Sequence, residues 1–136
     1  MGKVSTVRVL VVDDSIMVRD RLVSLIGGLR GVTVVGMAAD VPVGMAEARR
    51  LAPDAVVLDV RMPGGDGVMV LRDIKARAPG TVVVVLTNYV GTVHRARCMA
   101  AGADYFLDKS ADLDLLVDVL ETLASPDSAV CGEGTA

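Results

Sequence analysis

Aromatic residues are almost missing from this chain: Tyr89, Tyr105 and Phe106 are the only three, and there is no tryptophan. A single-strand nucleic-acid platform stacks successive bases on aromatic rings, and three rings cannot build one. The core must therefore be aliphatic. An excess of cations is missing too. Lys and Arg number 14 against 17 Asp and Glu, a net charge of −3. That balance argues against a protein that binds nucleic acid by neutralising phosphates. Long apolar runs are also absent. The uncharged stretch Thr81 to His94 contains Thr, Asn, Tyr and Gly, short of the roughly 18 to 20 apolar residues of a membrane span. The N-terminus runs into Asp13 and Asp14 without a small-residue cleavage site, so it does not read as a signal peptide. Gly2 after Met1 is too permissive a match to support myristoylation. The two cysteines, Cys98 and Cys131, are far apart with no ligand set beside them. They read as reduced thiols in a cytoplasmic protein.

What is present is enough for one domain. The 136 residues are 52% hydrophobic and 23% charged, which supports a core without staples and excludes a disordered chain. Five short apolar runs stand out: Val7–Val12, Val32–Ala38, Ala55–Leu58, Val82–Leu86 and Asp104–Leu107. Val-rich runs without polar alternation are how strands covered on both faces read. Between them lie stretches of helical spacing. Val18, Leu22, Leu25, Ile26 and Leu29 share one face, as do Leu113, Leu116, Val117, Leu120 and Leu123. Prolines and glycines punctuate the boundaries: Gly31, Pro42, Pro53, Pro63-Gly64-Gly65, Pro79-Gly80 and Gly102. Asp40, Asp66 and Asp112 stand where helix N-caps belong. The domain is expected over 7–124, with flexible termini at 1–6 and 125–136.

A strict βα alternation with five strands predicts an α/β protein of flavodoxin-like, doubly wound type. Its parallel sheet would have the order 2-1-3-4-5, with five helices on its two faces. Ligands in such folds sit at the carboxyl ends of the strands, near the switch point between strands 1 and 3. Reading off those ends gives Asp13 and Asp14 after strand 1, Asp59 after strand 3, Thr87 after strand 4 and Lys109 after strand 5. Singly, such residues are usually caps or turn formers: Asp14-Ser15 could cap the first helix, and Asp59 could serve the loop before Pro63. Together they form a site. Three carboxylates at close quarters repel one another, and a divalent cation relieves the repulsion. An all-oxygen set selects a hard ion, Mg²⁺ first and Mn²⁺ second, and Mg²⁺ held by few carboxylates takes phosphate oxygens as well. Lys109 and Thr87 suit the equatorial oxygens of a transferring phosphoryl group. Asp59, central in the sheet, is the natural nucleophile, with Asp13 and Asp14 holding the metal.

The segments VLVVDDS, VVLDVRMPGGDG, LTN and GADYFLDKS, with their spacing, resemble the receiver domain of two-component response regulators, including the chemotaxis receivers. The resemblance covers Val7 to Ala124 and implies that Asp59 accepts a phosphoryl group from a sensor histidine kinase or phosphotransfer protein. It implies that Asp14, Asp59 and the main-chain carbonyl of Arg61 bind Mg²⁺ directly, while Asp13 acts through metal-bound water. It implies that Thr87 and Phe106 form a switch, read by a downstream protein on the face of helix 4, strand 5 and helix 5. Such a protein is a phosphoacceptor and not an enzyme with turnover, and no effector domain is expected in this length. Chemotaxis receivers are themselves standard examples of the 2-1-3-4-5 order, so the fold and the family are one expectation.

Three positions depart from the family pattern. Ser110 stands where proline commonly follows the lysine; a cis peptide there costs roughly 2.5 to 4 kcal/mol without proline. Asn88 replaces a small residue after the threonine. Phe106 lacks the hydroxyl a tyrosine would bring, so it can switch only by packing. Two rival readings remain: the N-terminal receiver of a longer DNA-binding regulator, and a receiver-like interaction module that is never phosphorylated. A dehalogenase-type phosphatase needs a second acid two residues after its nucleophile, and Arg61 is there instead. No P-loop or GxGxxG run occurs. His94, the lone histidine, is expected to be a solvated residue near Arg95 and Arg97. The scattered methionines 17, 45, 62, 69 and 99 read as gap fillers or loop residues.

Overall fold

The computed structural model of the chain describes residues 6–62 and 64–125. Apart from Thr6 and Ser125, the termini expected to be flexible lie outside them. Ten elements alternate strictly: β1 (Val7–Val12), α1 (Ile16–Gly27), β2 (Val32–Ala38), α2 (Val41–Leu51), β3 (Ala55–Leu58), α3 (Val68–Arg77), β4 (Val82–Thr87), α4 (Thr92–Ala100), β5 (Tyr105–Asp108) and α5 (Leu113–Ala124). The sheet is wholly parallel in the order β2-β1-β3-β4-β5, as the alternation predicts. No helix among the described residues is long and apolar enough to cross a membrane.

Both faces of the sheet are covered, and strand alternation sorts the core into two layers. Leu10, Val12, Val56, Leu58, Val83, Val85 and Phe106 pack with α2, α3 and α4. Val9, Val11, Val57, Val84, Leu86 and Leu107 pack with Leu22 and Ile26 of α1 and Leu116 and Leu120 of α5. Each such fully buried aliphatic side chain contributes about 1.5 to 3 kcal/mol relative to exposure. Burial on both faces explains why the central strands β3 and β4 carry no polar alternation, whereas the edge strands β2 and β5 are partly exposed.

Some local expectations shift. Leu29 lies beyond the end of α1 yet still packs against the second layer. Strand β5 begins at Tyr105 and not at Asp104, whose carboxylate accepts the Val83 amide at 2.8 Å and pairs with Lys75 at 2.6 Å. Asp40 caps α2 by accepting from the Val43 amide at 2.9 Å. Asp66 precedes the N-cap Gly67 and accepts from the Val68 amide at 3.0 Å. Asp112 occupies the N-cap position of α5, but its side chain does not cap the helix. It turns back to accept the Asp108 amide at 2.8 Å. Gly67 is required for close approach: a Cβ there would stand 2.4 Å from the Val60 Cα and 2.6 Å from its carbonyl oxygen.

Candidate functional site

The carboxyl ends of β1, β3, β4 and β5 meet at one edge of the sheet, and the loops that leave them carry the site. Asp13 follows β1, with its amide donating to the Ala38 carbonyl at 2.9 Å. Its Oδ1 accepts the Ser15 amide at 2.9 Å, and its carbonyl oxygen accepts from Arg19 Nη1 at 2.7 Å. The next turn is capped by Ser15, whose Oγ accepts the Val18 amide at 3.3 Å. Asp14 therefore does not cap α1; it is exposed at the mouth of the site. Asp59 follows β3, donates its amide to the Val12 carbonyl at 2.8 Å, and accepts the Arg61 amide on Oδ1 at 2.9 Å.

Lys109 closes the group. Its Nζ lies 2.7 Å from Asp13 Oδ2 and 2.7 Å from Asp59 Oδ2. All three side chains are nearly enclosed: 12% exposed for Lys109, 3% for Asp13 and 7% for Asp59. The single ammonium bridges Asp13 and Asp59 and offsets one of their two charges, while the third acid, Asp14, is exposed to water. Burial raises Asp59 above the ordinary carboxylate value of 3.8, and the Lys109 and Arg61 hydrogen bonds oppose the rise without cancelling it. Burial works to lower Lys109, but its bonds to Asp13 and Asp59 outweigh that and hold its pKa above 10.5. The ammonium is thus the fixed charge of the site.

One carboxylate oxygen from each of Asp13, Asp14 and Asp59 lies within 4.8 Å of the others. The set is all oxygen, without histidine or cysteine, and one of its members is open to solvent. It fits a hard divalent ion that retains waters. Asp59 can accept further ligands, since an ionised carboxylate has about four acceptor sites and two are used here.

Thr87 is buried at the end of β4. Its hydroxyl accepts the Tyr89 amide at 3.1 Å, and its carbonyl accepts the Lys109 amide at 2.9 Å. Thr87 is joined to Lys109 through the backbone, and its side chain serves its own loop. Phe106 is 7% exposed and packs in the core layer under α4. His94 is not a solvated residue: it is half-buried, its ring meets Phe106 edge to face at 5.7 Å, and its Nε2 is buried without a hydrogen-bond partner. The α4 helix lays one side on β5, so a histidine facing that side joins the packing. The Arg95 guanidinium sits 5.5 Å from the same phenyl ring.

Three features escape inspection of the strand ends. The Arg61 guanidinium lies 3.9 Å over the Tyr89 ring, joining the loop after β3 to the loop after β4. An Arg97–Asp66 ion pair ties α4 to the start of α3. The Lys109–Ser110 peptide is trans, and Asp108 and Asp112 organise the backbone around it. The position of Tyr89, two residues beyond Thr87, was a usable signal for the first. The other two depend on loop geometry.

A family described as the response regulator receiver domain matches residues 9–121. A protein-glutamate methylesterase/protein-glutamine glutaminase 6 of Anaeromyxobacter dehalogenans is 55% identical over 84 residues, 62% of this chain and 24% of that protein. The DNA-binding transcriptional activator DevR/DosR of Mycobacterium tuberculosis is 38% identical over 103 residues, 76% of this chain and 48% of that one. The chain thus spans less than half the length of these relatives. The crystal structure of a LuxR-family two-component response regulator from Aurantimonas sp. SI85-9A1 is similar with a TM-score of 0.80 at 31% identity, covering 97% of this chain and 100% of that one.

Proposed function

The chain belongs to the response regulator receiver domain family, and we propose that it accepts a phosphoryl group on Asp59 from a phosphohistidine of a sensor kinase or phosphotransfer protein. One observation carries the assignment: Asp59, at the end of the central strand β3, contacts Lys109 Nζ at 2.7 Å and has oxygens of Asp13 and Asp14 within 4.8 Å. A carboxylate oxygen of Asp59 forms the new P–O bond as the P–N bond of the donor breaks, its electron pair staying with the imidazole. Lys109 holds a positive charge beside the acceptor, where the phosphoryl oxygens develop charge. Asp13, Asp14, Asp59 and the Arg61 carbonyl are the residues that would hold Mg²⁺, with Mn²⁺ as a substitute. A bound divalent ion supplies charge neutralisation for the phosphoryl oxygens.

The chain acts in this reading as a phosphoacceptor domain over residues 7–124, and not as an enzyme with turnover of its own. A cytoplasmic place follows from a kinase donor. Output follows from Thr87 and Phe106. A phosphoryl group draws the Thr87 hydroxyl from the Tyr89 amide, and the shift passes through the buried Phe106 to His94 and Arg95 of α4, which pack on its ring. The altered face is that of α4, β5 and α5, where Arg95, Arg97, Tyr105 and Leu115 offer charge and apolar surface to a protein partner. A receiver that serves a longer regulator is the second reading, favoured by relatives more than twice the length of the matched segment.

The test is incubation with Mg²⁺ and acetyl phosphate, followed by intact mass. One hydroxylamine-labile phosphoryl group per chain is expected, and none in Asp59→Asn. Undiminished labelling of Asp59→Asn overturns the acceptor. Beryllofluoride, a phosphoryl mimic, should shift the amide resonances of Phe106 and α4; a response confined to the loops after β3 and β4 overturns the switch.

A further inference from the structure

The residues around Lys109 form a closed set of hydrogen bonds. Asp108 Oδ1 accepts both the Ser110 amide at 2.8 Å and the Ser110 hydroxyl at 2.7 Å. The Asp108 amide donates to Asp112 Oδ2 at 2.8 Å. The Asp108 carbonyl accepts the amides of Ala111 at 3.3 Å and Asp112 at 2.8 Å. The Lys109 amide donates to the Thr87 carbonyl at 2.9 Å. Backbone on both sides of the lysine is therefore tied to two carboxylates and a hydroxyl.

Asp112 shows that the arrangement has a cost. It stands at the N-cap of α5, where an aspartate side chain ordinarily accepts a helix amide, and it does not do so. Such a cap ordinarily stabilises the helix it begins. The carboxylate is spent instead on the amide of the residue just before Lys109. Ser110 matters for the same reason: it supplies two donors to Asp108, whereas a proline there would have no amide to give. The Ser110 bonds lower the Asp108 carboxyl from its ordinary value, which favours its acceptor form.

We propose that Asp108, Ser110 and Asp112 are positioning residues that set the path of the Lys109 backbone so that its Nζ reaches Asp13 Oδ2 and Asp59 Oδ2 together. A lysine side chain has four rotatable bonds, and a fixed Cα is needed for it to meet two oxygens at 2.7 Å. The inference rests on the reading that Asp59 is the acceptor and Lys109 its cationic partner.

The experiment measures the rate of Asp59 phosphorylation by acetyl phosphate with Mg²⁺, in single variants and in a Lys109→Ala background. Asp108→Ala and Asp112→Ala should each slow the reaction roughly 10- to 100-fold, the scale of an ångström-level misplacement. Asp108→Asn and Asp112→Asn keep an acceptor oxygen and should retain most of the rate. In the Lys109→Ala background neither alanine substitution should slow the reaction further, because residues acting through one lysine are not additive. Thermal melts identify any variant that fails to fold, and the asparagine variants then carry the comparison. The proposal is overturned if both alanine variants react at the parent rate, or if their losses persist undiminished without Lys109. If Lys109→Ala alone is unimpaired while Asp59 is still labelled, the role of Lys109 falls and the positioning argument with it. Labelling that survives Asp59→Asn overturns the acceptor assignment itself.

Discussion

Lys109 and Asp59 meet at 2.7 Å, Nζ to Oδ2, in a space where the lysine is 12% and the aspartate 7% exposed. The two come from the ends of β5 and β3, separated by β4 in the sheet. A buried charge that loses its partner is costly, about 3 to 5 kcal/mol. Without metal, Lys109→Ala should therefore lower stability by about that amount, as measured by chemical denaturation. The loss should shrink as pH falls, because a carboxylate whose pKa is already raised by burial is the first to take a proton and then needs no cation. A loss that is equal at neutral and acid pH would mean that the lysine contributes only its packing.

Asp14 is exposed and leaves the capping of α1 to Ser15. Asp14→Ala should change the metal-free stability by less than about 0.5 kcal/mol, while Mg²⁺ binding, followed by titration of amide shifts, weakens. A large drop in Tm without metal would assign Asp14 a structural part in the first turn.

Gly67 lets the loop after Asp59 fold back on Val60. Gly67→Ala should destabilise by about 1 to 3 kcal/mol, the range for forcing atoms into a filled space, and should slow phosphorylation by moving Arg61. Gly80→Ala meets nothing within 4 Å and serves as the control, with an unchanged melt.

Asp73 accepts from Arg49 at 3.0 Å and from Arg77 at 3.3 Å, joining α2 to α3. The Arg49 hydrogen bond is the main cause of its lowered pKa. A depressed acid contributes stability above its unfolded value near 3.8, and loses it as pH falls through the folded value. Asp73→Asn should therefore melt slightly below the parent at pH 7 and converge with it in strong acid. A gap that widens toward acid pH would mean that ionised Asp73 does not stabilise the fold through Arg49 and Arg77.

Much of this protein was determined by local pattern. Unbroken Val-rich runs read as strands because both of their faces are covered, and the amphipathic spacing between them could only be helices. Their strict alternation forces crossovers and hence a parallel sheet, whose carboxyl edge collects Asp13, Asp14, Asp59, Thr87 and Lys109. The period of burial and the handedness of connections suffice to place them there. Tertiary structure decided the rest. Nothing in the sequence says that Lys109 spans two carboxylates while Asp14 stands in water, since that depends on how far each loop carries its side chain. The packing of His94 on Phe106 follows from the roll of α4 against β5, and a single histidine leaves no periodic trace. Asp112 has the composition and place of a helix cap, yet it bonds Asp108, because two amides compete for one carboxylate and the fold of the loop after β5 brings the second one closer.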